Sequence, residues 1–188
     1  MTAPAEDRVP LGMIHGRFQP FHLGHREYLH LALDRSEELI VGITNPDPWQ
    51  IAEEAASSHR HREDANPFTF FERLRMVRAV LLDDGIPLER VYIIPFPVNL
   101  PERWDSYVPD GAVHFVRVFS EWEQTKVDRL REHGYRAEIL TPGIEKEIEA
   151  TEVRRRLAAG GDWRALVPPG TARVIEVIEA QRAAAGAR

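Results

Sequence analysis

The sequence predicts an α/β fold: a mostly parallel five-stranded sheet with helices on both faces and a C-terminal helical segment. Two observations carry that prediction. Five short apolar runs, at residues 8–16, 38–43, 90–96, 112–119 and 135–140, alternate with segments whose apolar residues recur at helical spacing. No repeat, low-complexity tract or linker interrupts them. In sheets of this kind ligands sit beyond the carboxyl ends of the strands, near the point where strand order reverses.

Each element has its own signal. "RVPLGMIHG" (8–16) reads as a buried strand ending in glycine, and "LGHREYLHLALDR" follows with Tyr28, Leu29, Leu31, Ala32 and Leu33 at helical spacing. "ELIVGI" (38–43) is a second strand, closed by the turn residues of "TNPDP". The polar stretch 47–66 is long for a loop inside a compact domain, which points to a functional loop, with a surface excursion as the alternative. "NPFTFFERLRMVRAVLLDD" starts at a turn and places Phe71, Leu74, Val77 and Leu81 at helical spacing. "RVYIIPF", "AVHFVRVF" and "YRAEIL" are the remaining strands, the last two separated by a helix, "SEWEQTKVDRLREHG", with a glycine stop. The tail is helical, broken once by Gly-Gly and once by Pro-Pro.

The composition, 188 residues with 43% hydrophobic and 29% charged, fits one domain over 1–188, with a flexible start (1–8) and a C-terminal helical segment (145–188). No run of eighteen apolar residues predicts a membrane helix, and "MTAPAEDRVP" lacks the basic and apolar regions of a signal peptide. Zero cysteines exclude disulfides and thiolate metal sites and fit a cytoplasmic enzyme. A net charge of -6 argues against broad binding to nucleic acid. Only Lys126 and Lys146 are lysines, and arginine is the better fork for phosphate oxygens. The assembly state is open, a homo-oligomer included.

The densest chemistry lies in "HGRFQPFHLGH" (15–25), between the first strand and the first helix. Gly16 ends the strand where a side chain would block a ligand from the backbone. Arg17 follows, Pro20 stiffens the turn, and His22-Leu23-Gly24-His25 opens the helix. Residues three apart share a helix face, so both imidazoles point the same way, next to the free N–H groups of the helix start. Together with Arg17 they make a cradle for polyphosphate. A metal site would want a third ligand, and none stands at an obvious offset; a purely structural histidine pair is the other alternative.

"GRFQPFHLGH" resembles the signature of the HxGH nucleotidylyltransferases, in the extended form typical of archaeal-type NMN adenylyltransferases. "NPFTFFERLRMV", "YIIP" and "TEVRRRLAAGGDWRALVPPGTARVIEVI" resemble further segments of that family, so the likeness spans most of residues 9–180. It implies a Rossmann-like domain and a direct displacement. A phosphate oxygen of an acceptor attacks the α-phosphorus of a nucleoside triphosphate, and pyrophosphate leaves with Mg²⁺. Catalysis is then positioning and charge stabilisation. By resemblance His22, His25, Arg17 and Arg154 are the catalytic set. Gly16, Phe18, Gly24 and Thr151 line the nucleotide, with Thr151 capping its helix. Trp104, Asn99 and Arg62 face the acceptor, with a core position as the alternative for Trp104 and with no protein-held metal. Arg155 and Arg156 read as a solvated helix face.

Departures from the family pattern concern substrate choice. Glu149 stands where the second motif has serine. The arginine expected before "PFT" has Arg62, then Arg60, as its nearest candidates. Val98 or Asn99 replaces an aspartate after the third strand, and "FSEWEQTK" replaces the small-residue segment that receives the base. The nearest substrate pair is ATP with NMN. The alternative is CTP with another small phosphate or phosphonate, and the other classes weighed are a non-catalytic nucleotide sensor and a metal-dependent hydrolase.

Overall fold

One parallel sheet runs through the chain in the order β3-β2-β1-β4-β5, built from β1 (Val9–Gly16), β2 (Ser36–Thr44), β3 (Val91–Phe96), β4 (Val113–Val116) and β5 (Arg136–Ile139). The computed structural model describes residues 8–45, 65–119, 121–140 and 149–186. Arg62, and nearly all of the 47–66 stretch, lie outside the described residues, as do 1–7 and 145–148. All five predicted strands form, and the sheet is parallel with helices on both faces. The strand order reverses at β1, so its carboxyl end opens onto the crevice between β2 and β4, where the histidine-rich turn was expected.

Strand alternation divides the core. Ile14, Val41, Ile43, Val113 and Phe115 face one side, where α1 (Leu23–Leu33) and α2 (Phe70–Asp83) pack, backed by α4 (Ala150–Ala158) and α5 (Pro169–Gly186). Met13, Ile40, Phe96 and Val116 face the other side, under α3 (Glu121–Glu132) and a short 3₁₀ stretch, Pro101–Ser106. Gly170 lets α5 approach α2 closely, since a Cβ there would lie 2.8 Å from the Ala79 carbonyl carbon. Thr69 and Glu72 start α2 with a reciprocal capping box, and Asp84 at its end holds Arg26 and His30 of α1.

β4 is shorter than the 112–119 run suggested. Its ladder to β1 covers Val113 and His114. Arg117 then leaves the sheet, its Nη1 donating to the Gly24 carbonyl at 2.9 Å and pairing with Glu27 at 2.9 Å. A charged side chain drawn to α1 ends the strand that apolar periodicity alone would extend.

Candidate active site

The turn from β1 into α1 is built around aromatic packing. Phe18 adopts a positive φ of 52°, which swings its ring inward against Phe21 and edge-on to His25, 4.9 Å between centroids. Its side chain is 1% exposed. The Phe18 side chain belongs to the core and braces His25. Gly16 is required for the same reason, because a Cβ there would sit 2.9 Å from the Phe18 ring.

His22 is the N-cap of α1, and its backbone N–H donates to Nδ1 of His25 at 3.2 Å. The two imidazoles stack, 3.6 Å apart. Gly24 makes room for this, since a Cβ there would stand 3.2 Å from Cε1 of His22. His25 is held well below the ordinary imidazole pKa, first by burial and then by the nearby charges of His22 and Arg117, so it is neutral at pH 7. With Nδ1 accepting, the proton is assigned to Nε2.

Two further anchors bring distant segments to this turn. Gln19 clamps Phe68, donating from Nε2 to its carbonyl at 2.8 Å and accepting its N–H at 3.0 Å. Arg154 on α4 donates to the Gln19 carbonyl at 2.7 Å and to the Thr151 hydroxyl at 3.1 Å. Thus Arg17, His22, His25, Thr151 and Arg154 converge. Thr151 does not cap its helix, however. The N-cap is Glu149, whose carbonyl accepts from Glu152 and Val153, and Thr151 sits a residue inside with its hydroxyl turned to Arg154. Arg155 and Arg156 pair with Glu152 on the outer face of α4.

On the acceptor side the structure chooses between the two readings of Trp104. Trp104 is 1% exposed, ringed by Phe96, His133 and Tyr135, and its indole N–H donates to the Pro97 carbonyl at 3.0 Å. A tryptophan so enclosed is a core residue, not a stacking platform. Asn99 lies half-buried in the loop after β3.

Two arginines complete the site without having been singled out in the sequence. Arg73 of α2 is 1% exposed and donates to the carbonyls of Arg17, Thr44 and Asn45, each at 2.8 Å, and to that of Thr69 at 3.2 Å. Among the described residues no carboxylate bonds it, and burial followed by the charge of Arg17 pushes its pKa down to about 10. Its signal was an arginine on the apolar face of a helix, in step with Phe70, Val77 and Val80. Arg117, described above, was hidden inside an apparent strand. The carboxyl ends of β1, β2 and β4 thus gather four guanidinium groups around two imidazoles, in a chain whose net charge is -6. Such a concentration of donors suits a polyphosphate.

The family described as cytidylyltransferase-like matches residues 13–156. The chain is 45% identical, over 172 residues, to a phosphonoformate cytidylyltransferase from Streptomyces viridochromogenes, covering 92% of this chain and 94% of that one. It is 35% identical over 158 residues to a nicotinamide-nucleotide adenylyltransferase from Saccharolobus solfataricus, covering 84% of each. The fold is like that of a bifunctional NMN adenylyltransferase/ADP ribose pyrophosphatase from Francisella tularensis, with a TM-score of 0.58 and 21% identity. That likeness covers 81% of this chain and 43% of the bifunctional one, so the chain spans less than half of that protein. With the family match running from the middle of β1 to the end of the arginine run on α4, the chain belongs to the cytidylyltransferase-like family and is a nucleotidylyltransferase.

Proposed function

We propose that this nucleotidylyltransferase moves a cytidylyl group from CTP, taken as its Mg²⁺ complex, to a small phosphonate acceptor with release of pyrophosphate. The observation that carries the reading is the closure of Trp104 into the core. A nicotinamide ring would need an open aromatic face there, whereas a compact acid does not. The 45% identity to a phosphonoformate cytidylyltransferase supports the same choice. The 35% identity to nicotinamide-nucleotide adenylyltransferases favours a second reading, transfer of AMP from ATP to NMN.

In the proposed step an oxygen of the acceptor's phosphonate forms a bond to the α-phosphorus of CTP. The bond from that phosphorus to the bridging oxygen breaks, and pyrophosphate carries away the electron pair. No protein nucleophile takes part, so the chain acts by placement and by stabilising charge. Arg17 holds the acceptor's phosphonate at the mouth of β1. His22 and His25 donate to the triphosphate, with neutral His25 giving a hydrogen bond from Nε2 instead of a proton. Arg154 and Thr151 hold the β- and γ-phosphates, and Arg117 adds charge from just beyond β4. Asn99 and Arg62 stay assigned to the acceptor side. Among the described residues no three His, Asp or Glu side chains converge to hold an ion. The triphosphate oxygens would therefore supply the ligands of Mg²⁺, which offsets charge on the leaving pyrophosphate.

The test is pyrophosphate release with Mg²⁺ and each of ATP, CTP, GTP and UTP, against phosphonoformate and NMN, with mass analysis of products. The expected product is the mixed anhydride of CMP and phosphonoformate, formed with CTP. Formation of NAD from ATP and NMN, with no phosphonoformate product, would replace this reading by the second one.

A further inference from the structure

His15 and His114 lie outside the machinery described so far. His15 is on β1, one residue before Gly16 and two before Arg17, and His114 is on β4 beside Met13. Both point to the α3 side of the sheet, where their rings meet edge to face, 5.9 Å between centroids and 71° between planes. They are 4% and 0% exposed, and none of their four ring nitrogens has a hydrogen-bond partner among the described residues. Buried polar atoms are nearly always paired, so four orphans in one place call for a visitor that pairs them.

Among the described residues the walls supply no such partner. Phe96 stands 5.4 Å from His15 and Tyr135 stands 5.1 Å from His114, ring to ring, and the Trp104 N–H is already spent on Pro97. Gly42, level with His15 on β2, lets the apolar wall pack close beneath the pair: a Cβ there would lie 2.7 Å from Met13 Cε, 3.0 Å from Phe96 Cβ and 3.3 Å from His15 Cβ. Both imidazoles are held neutral. Burial pushes His114 down to about 4, and burial, then the charge of Lys126, then His114 push His15 down. Each neutral ring offers one N–H donor. The positive charge of Lys126 on α3 is close enough to be felt at His15. Two donors and a cation suit a carboxylate.

We propose that His15 and His114, with Lys126 behind them, form a carboxylate-binding subsite that selects acceptors carrying a carboxylate directly on the phosphonate. The inference rests on the proposed phosphonate reading, which puts the phosphonate on Arg17. A group bonded to that phosphorus has His15 as its neighbour along β1.

The test compares kcat/KM with CTP for phosphonoformate and for methylphosphonate, which lacks the carboxylate, in the wild type, His114→Phe and Lys126→Met. The wild type should prefer phosphonoformate by roughly 100-fold or more, as expected of a site built to bond the missing group. His114→Phe should cut that preference by about tenfold or more, through KM, and Lys126→Met by a smaller factor in the same direction. Calorimetric titration with phosphonoformate alone should show the same weakening, and thermal unfolding reports that the variants are folded. A preference that survives both substitutions overturns the subsite and leaves the nitrogens to ordered water. A wild type with no preference overturns it as well. Failure of the phosphonate reading looks different: no pyrophosphate is released with either phosphonate while ATP and NMN react, and the subsite falls with it.

Discussion

His22 and His25 stack with planes 24° from parallel, while the backbone N–H of His22 donates to the ring of His25. The pair is therefore one unit: the helix start fixes the orientation of His25, and His25 supports the ring of His22. Gly24 is the residue between them that makes the stack possible, by leaving out the Cβ that would press on His22.

Gly24→Ala separates site geometry from fold. The new methyl stands 3.2 Å from Cε1 of His22, so the ring must shift by a few tenths of an ångström. Turnover should fall by about tenfold, since small misplacements of positioning groups are costly. Thermal stability should hold or rise, because alanine is favoured over glycine in a helix by roughly 0.5–1 kcal/mol. Steady-state rates and thermal unfolding on one preparation check this. Loss of both would assign Gly24 to the fold.

Arg73 is the keystone of the site floor, with its guanidinium shared by carbonyls from the ends of β1 and β2 and from the start of α2. Arg73→Leu leaves those carbonyls unpaired in the interior, and each unsatisfied group costs about 1–3 kcal/mol. The expected outcome is a loss of about 3 kcal/mol or more in urea unfolding, with weaker turnover because the Arg17 backbone is released. A variant as stable as the wild type would show that water replaces the guanidinium.

The strands and helices were legible because their apolar residues follow the two backbone periods. The turn at 15–25 was legible because few folds need that density of histidine, arginine and glycine at a strand end. Periodicity cannot see a charge that leaves a strand, so Arg117 was read as part of β4. It also cannot see an arginine that satisfies carbonyls instead of a carboxylate, so Arg73 passed as one polar residue on α2. Trp104 had two readings in the sequence, acceptor platform or core, and position alone does not choose between them. The same residue in the same segment packs inward once Phe96, Tyr135 and His133 close around it. The His15–His114 pair was invisible because it joins strands a hundred residues apart in sequence, through the sheet order alone.

Acid should destabilise the fold before its carboxylates titrate. His15, His25 and His114 all have folded-state pKa values below their unfolded value, so the unfolded chain binds more protons as pH falls. Their stabilising contribution is complete above about 6.5 and is lost as pH falls below it. For His114, with a folded pKa of about 4, the full loss is roughly 3 kcal/mol, reached near pH 4. Urea midpoints at pH 7 and pH 5 measure it, and His114→Phe should flatten the dependence. An unchanged slope in that variant would show that His114 is protonated in the native state at pH 5.

The arginine run on α4 should divide sharply in function. Arg154 reaches inward to Gln19 and Thr151, whereas Arg155 lies along the helix surface on Glu152. Arg154→Lys keeps the charge but loses the fork that holds two acceptors at once, so KM for the triphosphate should rise by about tenfold. Arg155→Ala should leave KM, kcat and the thermal midpoint where they are, because an exposed intrahelical pair contributes little. If the two substitutions weakened triphosphate binding equally, the run would act as a diffuse positive surface. In that case the bond from Arg154 to Gln19, which ties α4 to the histidine turn, would serve only to dock the helix.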